Sequence, residues 1–345
     1  MKRLITIVIL AAYATVLFGN CGNTPAKVTA VPTPMLYGDT SRTEVPFAKD
    51  PTVIRLGDTY YMYYTVKAYD KSRRPDEVAP LEDGYNTAIA RSTDMIHWEY
   101  VCQLDLRDSE GGRIWGAVAP CVKIFDDVIH MFYQRVWAAT GNSEIWHAVS
   151  SDGITFTNTV DEPVWIARTG WSITRAIDAE VYRVGDRMVL IYATRDPQNV
   201  IQMLGMADAP YGSDYAPDKW VNLTPDAPLL SPDYPWEMSC IEAPTVYERN
   251  GIWYMFYAGA YNHENQQIGL ATSTDGYHYT RVEYDPENPG LFYRMGGPGE
   301  WNTAESGHPG VFVDNDEQVY LFYQGKAAQK GPRNNYLLSV LKLGF

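Results

Sequence analysis

The sequence predicts an all-β chain folded as a five-bladed β-propeller with four antiparallel strands per blade. Three observations predict it: a turn leading into an aromatic strand recurs five times, a short apolar strand precedes each copy, and no useful length of chain has helical periodicity. The aromatic copies are Gly57 to Tyr64, Asp127 to Tyr133, Gly185 to Tyr192, Gly251 to Tyr257 and Asp316 to Tyr323. Their closing tyrosines, Tyr64, Tyr133, Tyr192, Tyr257 and Tyr323, lie 69, 59, 65 and 66 residues apart, a spacing that chance does not give.

The preceding apolar strands are Pro51 to Leu56, Pro120 to Phe125, Ala179 to Val184, Pro244 to Tyr247 and Gly310 to Val313. Three units continue into a third strand and a polar turn, at Ala88 to Asp94, Ala148 to Gly153 and Leu270 to Gly276. Asp-Gly at two of those turns is a strong hairpin signal, and an aromatic residue follows each turn (Trp98, Phe156, Tyr279), as a fourth strand would supply.

Composition narrows the function class. Of 345 residues, 42 are Asp or Glu and 28 are Lys or Arg, a net charge of −14 that argues against a nucleic-acid partner. At 46% hydrophobic the chain has ample material for a core. Tyr and Trp, at 26 and 10, dominate the aromatics and suit both β-structure and a sugar-binding surface.

Lys2 and Arg3 precede the apolar run Leu4 to Phe18, which fits a secretory signal better than a bilayer span of roughly 20 residues. Gly19-Asn20-Cys21 follows and resembles a bacterial lipoprotein lipobox, with Asn20 where a small residue is usual. The expected organisation is therefore a signal peptide over 1–21, a Pro-rich tether over 22–44 and a propeller over 45–345. It implies export to the periplasm or cell surface of a bacterium, with membrane contact only through a lipid anchor at Cys21. Cys102, Cys121 and Cys240 match no zinc pattern and read as free thiols.

In a propeller the first strand of each blade lines the central axis, so its starting residues converge. The five starts are Lys49-Asp50-Pro51, Val118-Ala119-Pro120, Ala176-Ile177-Asp178-Ala179-Glu180, Ile241-Glu242-Ala243-Pro244 and Gly307-His308-Pro309. Three carboxylates, Asp50, Asp178 and Glu242, and one histidine, His308, are thus expected at equivalent places around one funnel. Desolvation and like charge push their pKa values apart, as cleavage of a glycosidic bond requires. Glu180, two residues beyond Asp178 on the same side of its strand, is expected deeper in the channel.

These motifs resemble glycoside hydrolase family 43. Lys49-Asp50-Pro51-Thr52-Val53 is similar to its opening blade, and Ala176-Ile177-Asp178-Ala179 to its Ile-Asp-Pro motif with Ala179 for Pro. Ile241-Glu242-Ala243-Pro244 is similar to its Glu-Gly-Pro motif with Ala243 for Gly, and Ser306-Gly307-His308-Pro309-Gly310 to its closing Gly-His motif. The resemblance covers the mature chain in the correct blade order. It implies an inverting hydrolase of plant or algal poly- or oligosaccharides, of α-L-arabinofuranosidase or β-xylosidase type. Asp50 would be general base, Glu242 general acid, and Asp178 the residue that orients the acid and raises its pKa. It implies no required cofactor; in some relatives the histidine sits near a calcium or a water cluster on the axis, which makes His308 the candidate metal ligand.

Loops leading into the funnel carry Trp115, Trp171, Arg175, Trp236, Trp301 and Glu305. Tryptophan faces stack on sugar rings, so these are candidate substrate contacts together with His308; the alternative is packing between blades. Arg175 could pair with Asp178 or bind a substrate carboxylate. Arg195-Asp196-Pro197 spells a motif of family 32, but it follows the second strand of its blade and reads as a turn or rim contact. The rival functions are an anhydro-galactosidase like family 117, a glycoside phosphorylase like family 130, and a non-catalytic sugar-binding propeller.

Overall fold

A computed structural model describes residues 25–41, 45–67, 84–136, 143–327 and 335–345. The signal segment and the lipobox-like Cys21 lie outside the described residues. Five antiparallel sheets form the five blades. Blade 1 consists of Lys49–Leu56, Thr59–Lys67, Tyr85–Ser92 and Glu99–Gln103. Blade 2 consists of Ala117–Phe125, Val128–Val136, Ser143–Ser150 and Thr155–Asn158, with Asp105–Arg107 added in parallel at its edge. Blade 3 consists of Ile177–Val184, Arg187–Arg195, Gln202–Pro210 and Val221–Asn222. Blade 4 consists of Ile241–Arg249, Ile252–Gly259, Gln267–Ser273 and Thr280–Arg281, and Leu291–Tyr293 also pairs with its third strand.

Blade 5 revises the sequence reading. Its first three strands are Glu305–Val313, Val319–Lys326 and Leu337–Gly344, and its outer strand is Thr29–Pro32 from the predicted tether. Thr29 pairs with Gly344 and Pro32 with Leu341, so the two ends of the chain close the ring. Val28 is buried in the core between blades 4 and 5, and its N–H donates to the Tyr284 hydroxyl at 2.9 Å. Prolines and small residues conceal this strand because Pro is tolerated at a sheet edge.

One apolar core fills each of the five blade junctions. All five closing tyrosines are buried there, at 1% exposure or less. Tyr64, Tyr133 and Tyr257 donate their hydroxyls to Asp39, Asn158 and Glu237 at 2.8, 2.9 and 2.7 Å, which satisfies the polar ends of large buried rings. The polar turns after the third strands repeat as well. Ser92, Ser150 and Ser273 Oγ each accept a backbone N–H three residues on, from Met95, Gly153 and Gly276, all at 2.9 Å. Helical structure among the described residues is limited to the single 3-10 turns Pro217–Lys219 and Pro235–Glu237.

Blades 5 and 1 meet at backbone contact. A methyl group added at Gly310 would overlap the Pro51 carbonyl oxygen, a backbone atom that cannot rotate away. Gly310→Ala is therefore expected to lower stability by about 2–3 kcal/mol, the cost of forcing extra volume into a packed interior. Urea unfolding would measure it; an unchanged midpoint would contradict this close approach.

Candidate active site

Each inner strand carries the same irregularity. The ladder slips between Lys49 and Thr52, Val118 and Cys121, Ile177 and Glu180, Glu242 and Thr245, and Gly307 and Gly310. Within each slip one residue is left-handed: Asp50, Ala119, Asp178, Ala243 and His308, with φ of 52, 45, 52, 48 and 44°. A non-glycine residue held there costs about 1–3 kcal/mol, and a bulge re-aims its side chain. Proline follows the left-handed residue in four blades, where the missing N–H leaves no broken ladder bond. The predicted strand starts therefore lie inside the strands, on bulges.

This register corrects one expectation. Asp50, Asp178 and His308 are equivalent, but Glu242 lies one residue earlier, at the position of Lys49, with Ala243 taking the left-handed place. The four groups still converge. His308 Nδ1 lies 2.8 Å from Asp50 Oδ1, a charged contact rather than a linear hydrogen bond, and its Nε2 lies 2.9 Å from Glu242 Oε1. Asp178, Glu242 and His308 offer ligand atoms that all fall within 4.8 Å of one another.

These side chains sit at the floor of an open funnel of about 700 Å³, whose wall includes Lys49, Gln134, Arg175, Arg195, Tyr261 and Asn262. Below them a narrow channel of about 40 Å³ continues along the axis past Glu180. Glu180 lies deeper, as its spacing predicted, and is structural: it accepts from the Val246 N–H at 2.8 Å and pairs with Lys123 at 3.0 Å, tying three blades together.

Burial pushes every acid here upward, and the neighbours then separate them. Lys49 and His308 outweigh burial at Asp50 and hold its carboxyl well below the ordinary range. Burial raises Asp178 to about 7, with the charges of Glu242 and Asp50 adding to it against His308. Burial also penalises ionised Glu242, but His308 and Gln266 reverse the sign and lower its pKa. Asp50 and Glu242 likewise overcome burial at His308 and keep it charged.

Glutamines that sequence reasoning missed hold this arrangement. Gln134 and Gln324 directly follow closing tyrosines of blades 2 and 5, and their side-chain oxygens accept the Asp178 and Asp50 backbone N–H at 3.3 and 3.0 Å. Thr65, after Tyr64, accepts the Ala119 N–H at 2.9 Å in the same way. Glu242 receives Nε2 donors from Gln202 and, at 2.7 Å, from Gln266. The available signal was a polar residue just past the closing tyrosine of an otherwise apolar strand.

The predicted rim residues divide. Arg175 lines the funnel, with its Nε buried and lacking an acceptor. Trp115 lies against Arg113, 4.0 Å from ring centre to guanidinium, and Trp171 donates Nε1–H to the Thr224 carbonyl at 2.8 Å; neither lines the funnel. Trp236 is buried in the core between blades 3 and 4 and donates to the Pro289 carbonyl at 3.0 Å. Trp301 packs on Tyr323 in the junction of blades 4 and 5. Glu305 is fully buried, pairing with Lys326 at 3.3 Å and accepting from Gln324 at 2.6 Å, so it supports Asp50 from behind. Trp236, Trp301 and Glu305 thus take the packing alternative, Trp115 and Trp171 sit on loops outside the funnel lining, and among the described residues the funnel's tyrosines are Tyr85 and Tyr261. Asp196 caps an exposed turn through the Val200 and Ile201 N–H groups at 2.7 and 2.8 Å, away from the axis.

The donor set does not suit calcium. Calcium takes six to eight oxygen ligands, whereas His308 presents nitrogens and directs both at carboxylates. Among the described residues no helix is long and apolar enough to cross a membrane, and Cys121 and Cys240 are buried free thiols with Cys102 half-buried.

The family model of glycosyl hydrolases family 43 matches residues 45–338, which takes in all five inner strands and the acids they carry. No curated protein sequence matches the chain. A thermostable family-43 glycoside hydrolase shares the fold with a TM-score of 0.63 at 18% identity, over 90% of this chain and 93% of that one. The catalytic domain of a Coprinopsis cinerea family-62 α-L-arabinofuranosidase shares it at 0.61 and 14%, over 92% and 96%. An exo-1,5-α-L-arabinanase from a bovine ruminal metagenomic library does so at 0.59 and 16%, over 89% and 96%. At such identities these likenesses speak for the propeller alone. The family match spans most of the chain, and on it the protein belongs to glycosyl hydrolases family 43 and is a glycoside hydrolase.

Proposed function

We propose that the funnel hydrolyses glycosidic bonds of plant polysaccharide fragments with inversion at the anomeric carbon, as an α-L-arabinofuranosidase or β-xylosidase. The observation that carries this reading is the placement of Asp50 and Glu242 against opposite nitrogens of one imidazole. Their nearest oxygens are then at most about 8 Å apart, below the upper limit of the ~6.5–9.5 Å of an inverting pair with water between them. The arabinose-releasing activities named for two fold neighbours support the choice of sugar. Incubation with arabinan, arabinoxylan and xylo-oligosaccharides should release arabinose or xylose; release of neither would overturn the substrate assignment.

In this mechanism Asp50 takes a proton from the attacking water, a role that suits a carboxyl kept ionised by Lys49 and His308. The adjacent acids Asp178 and Glu242 hold one proton between them, and their titrations belong to the pair. Asp178 passes that proton to Glu242, which delivers it to the leaving oxygen; after product release solvent takes the proton that Asp50 drew from water and restores the one that the pair lost. A second reading exchanges the two, favoured by the raised pKa of Asp178 and by its Oδ2, which is buried without a partner.

Either reading fixes the pH dependence. The shared proton is present below about pH 7 and lost above it, so kcat/KM should fall on the alkaline side. Because the folded state favours neutral Asp178, its contribution to stability is complete at low pH and is lost as pH rises through about 7. Asp50, held well below the ordinary range, should leave the acidic side flat. A profile still rising above pH 8 would contradict the shared proton.

Export as a lipoprotein belongs to the same proposal, supported by the apolar run Leu4 to Phe18 and by Cys21 after it. Cys21→Ala should move the protein from the membrane fraction to the soluble one; equal membrane association would sink the anchor.

A further inference from the structure

The funnel carries more positive charge than its acids need. Lys49 lies 4.0 Å from Asp50, and His308 contacts both Asp50 and Glu242, so the ionised acids already have cationic partners. Two further guanidiniums, Arg175 and Arg195, line the same cavity. Among the described residues neither forms an ion pair with a carboxylate. Of the two other acids of the lining, Asp178 has its carboxyl raised to about 7 by burial, and Glu264 accepts the Tyr261 N–H at 3.2 Å and lies 3.9 Å from His263.

The two arginines differ in what holds them. Arg195 is fixed: Nε donates to Gln202 at 3.0 Å, Nη1 to Asn199 at 3.2 Å, and its face lies 5.1 Å from the Tyr261 ring centre. Among the described residues Arg175 is held only through its backbone, whose N–H donates to the Ile173 carbonyl at 2.8 Å, while its buried Nε meets no acceptor. A buried, unsatisfied charged donor costs its full desolvation penalty and needs an explanation. Burial and the charge of Arg195 push the Arg175 guanidinium below its ordinary value against the opposing charges of Asp178 and Glu242, and an arriving anion would act in the same direction as those acids.

We propose that Arg175, with Arg195 beside it, binds the carboxylate of a uronic acid residue in the glycan, in the funnel wall next to the catalytic acids. A guanidinium presents paired, parallel N–H donors, which match the two oxygens of a carboxylate, and both Arg175 and Arg195 line the funnel. The inference rests on the glycosidase reading for the sugar and adds the charge the sugar carries.

Equilibrium binding by calorimetry or saturation-transfer NMR tests this without turnover. The probes are the methyl glycosides of galacturonic and glucuronic acid, their methyl esters, a 6-sulfated methyl galactoside and inorganic phosphate. The free acids should bind at least about tenfold more tightly than their esters, a preference that weakens with salt. Arg175→Met should bring that ratio close to one. Arg175→Lys, which keeps the charge but loses the fork, should leave part of it. If Arg175→Met melts early, Arg195→Met supplies a second variant in which the ratio should fall. Equal binding of acid and ester, or an Arg175→Met protein that keeps the ratio, would overturn the proposal. So would a preference for the sulfated sugar over the uronates, or cleavage that requires phosphate. Absence of a uronate preference in the unsubstituted protein, with glycoside hydrolysis intact, sinks this inference alone; uronate binding without hydrolysis of any glycoside sinks the reading beneath it.

Discussion

Asp50→Asn is expected to lower kcat/KM about 10³-fold on the natural substrate, within the 10²–10⁴ range of a positioned general base. The amide keeps the shape of the side chain but takes no proton from water. The Asp50 backbone N–H would still donate to Gln324, so the bulge should survive. Loss of the carboxylate leaves Lys49 and His308 without their shared partner, which adds a modest stability cost of about 1–3 kcal/mol. Azide needs no base, and adding it should restore part of the turnover as a glycosyl azide. Full activity in Asp50→Asn would remove Asp50 from the mechanism.

The second large effect separates the two acids. Glu242→Gln should lower activity on natural substrates by about 10³-fold, yet spare dinitrophenyl glycosides to within about tenfold, because that leaving group departs without a proton. Asp178→Asn should cost natural substrates less than Glu242→Gln does and should likewise spare the activated substrate, since Asp178 only supplies the proton that Glu242 delivers. The opposite order on natural substrates, with Asp178→Asn the more damaging, would exchange the roles. The question is physical: Glu242 is surrounded by donors from Gln202, Gln266 and His308, which favour its charged form, whereas Asp178 Oδ2 has none. Substrate entering the funnel displaces water and changes that balance, so the free protein's proton position does not by itself name the donor.

Most of the propeller was legible because its period is long and its signals are local. A turn, five to eight aromatic or β-branched residues and a buried tyrosine recur at nearly constant spacing. The blade starts Asp50, Asp178, Glu242 and His308 could be found because a propeller places such positions on one axis. Their one-residue offset was hidden, since the bulge is a backbone event and Ala243 spells nothing in sequence. The closing strand Thr29–Pro32 was hidden because an edge strand needs only backbone pairing. The tryptophans misled for a different reason. Trp236 and Trp301 stand before blade starts, but their rings turn into the junctions, where Tyr257 and Tyr323 offer flat apolar faces. The glutamines were missed because their role depends on a neighbouring blade far away in sequence, such as Gln324 bonding Asp50 across the ring closure.

The central claim is that Asp50 and Glu242 act across a gap that holds a water molecule. Proton NMR of the sugar released in the first minutes of hydrolysis, before mutarotation, tests it most directly. The account predicts that the first product carries the anomeric configuration opposite to that of the substrate. A product of retained configuration would contradict it, because retention requires a carboxylate to attack the sugar itself from about 5–5.5 Å.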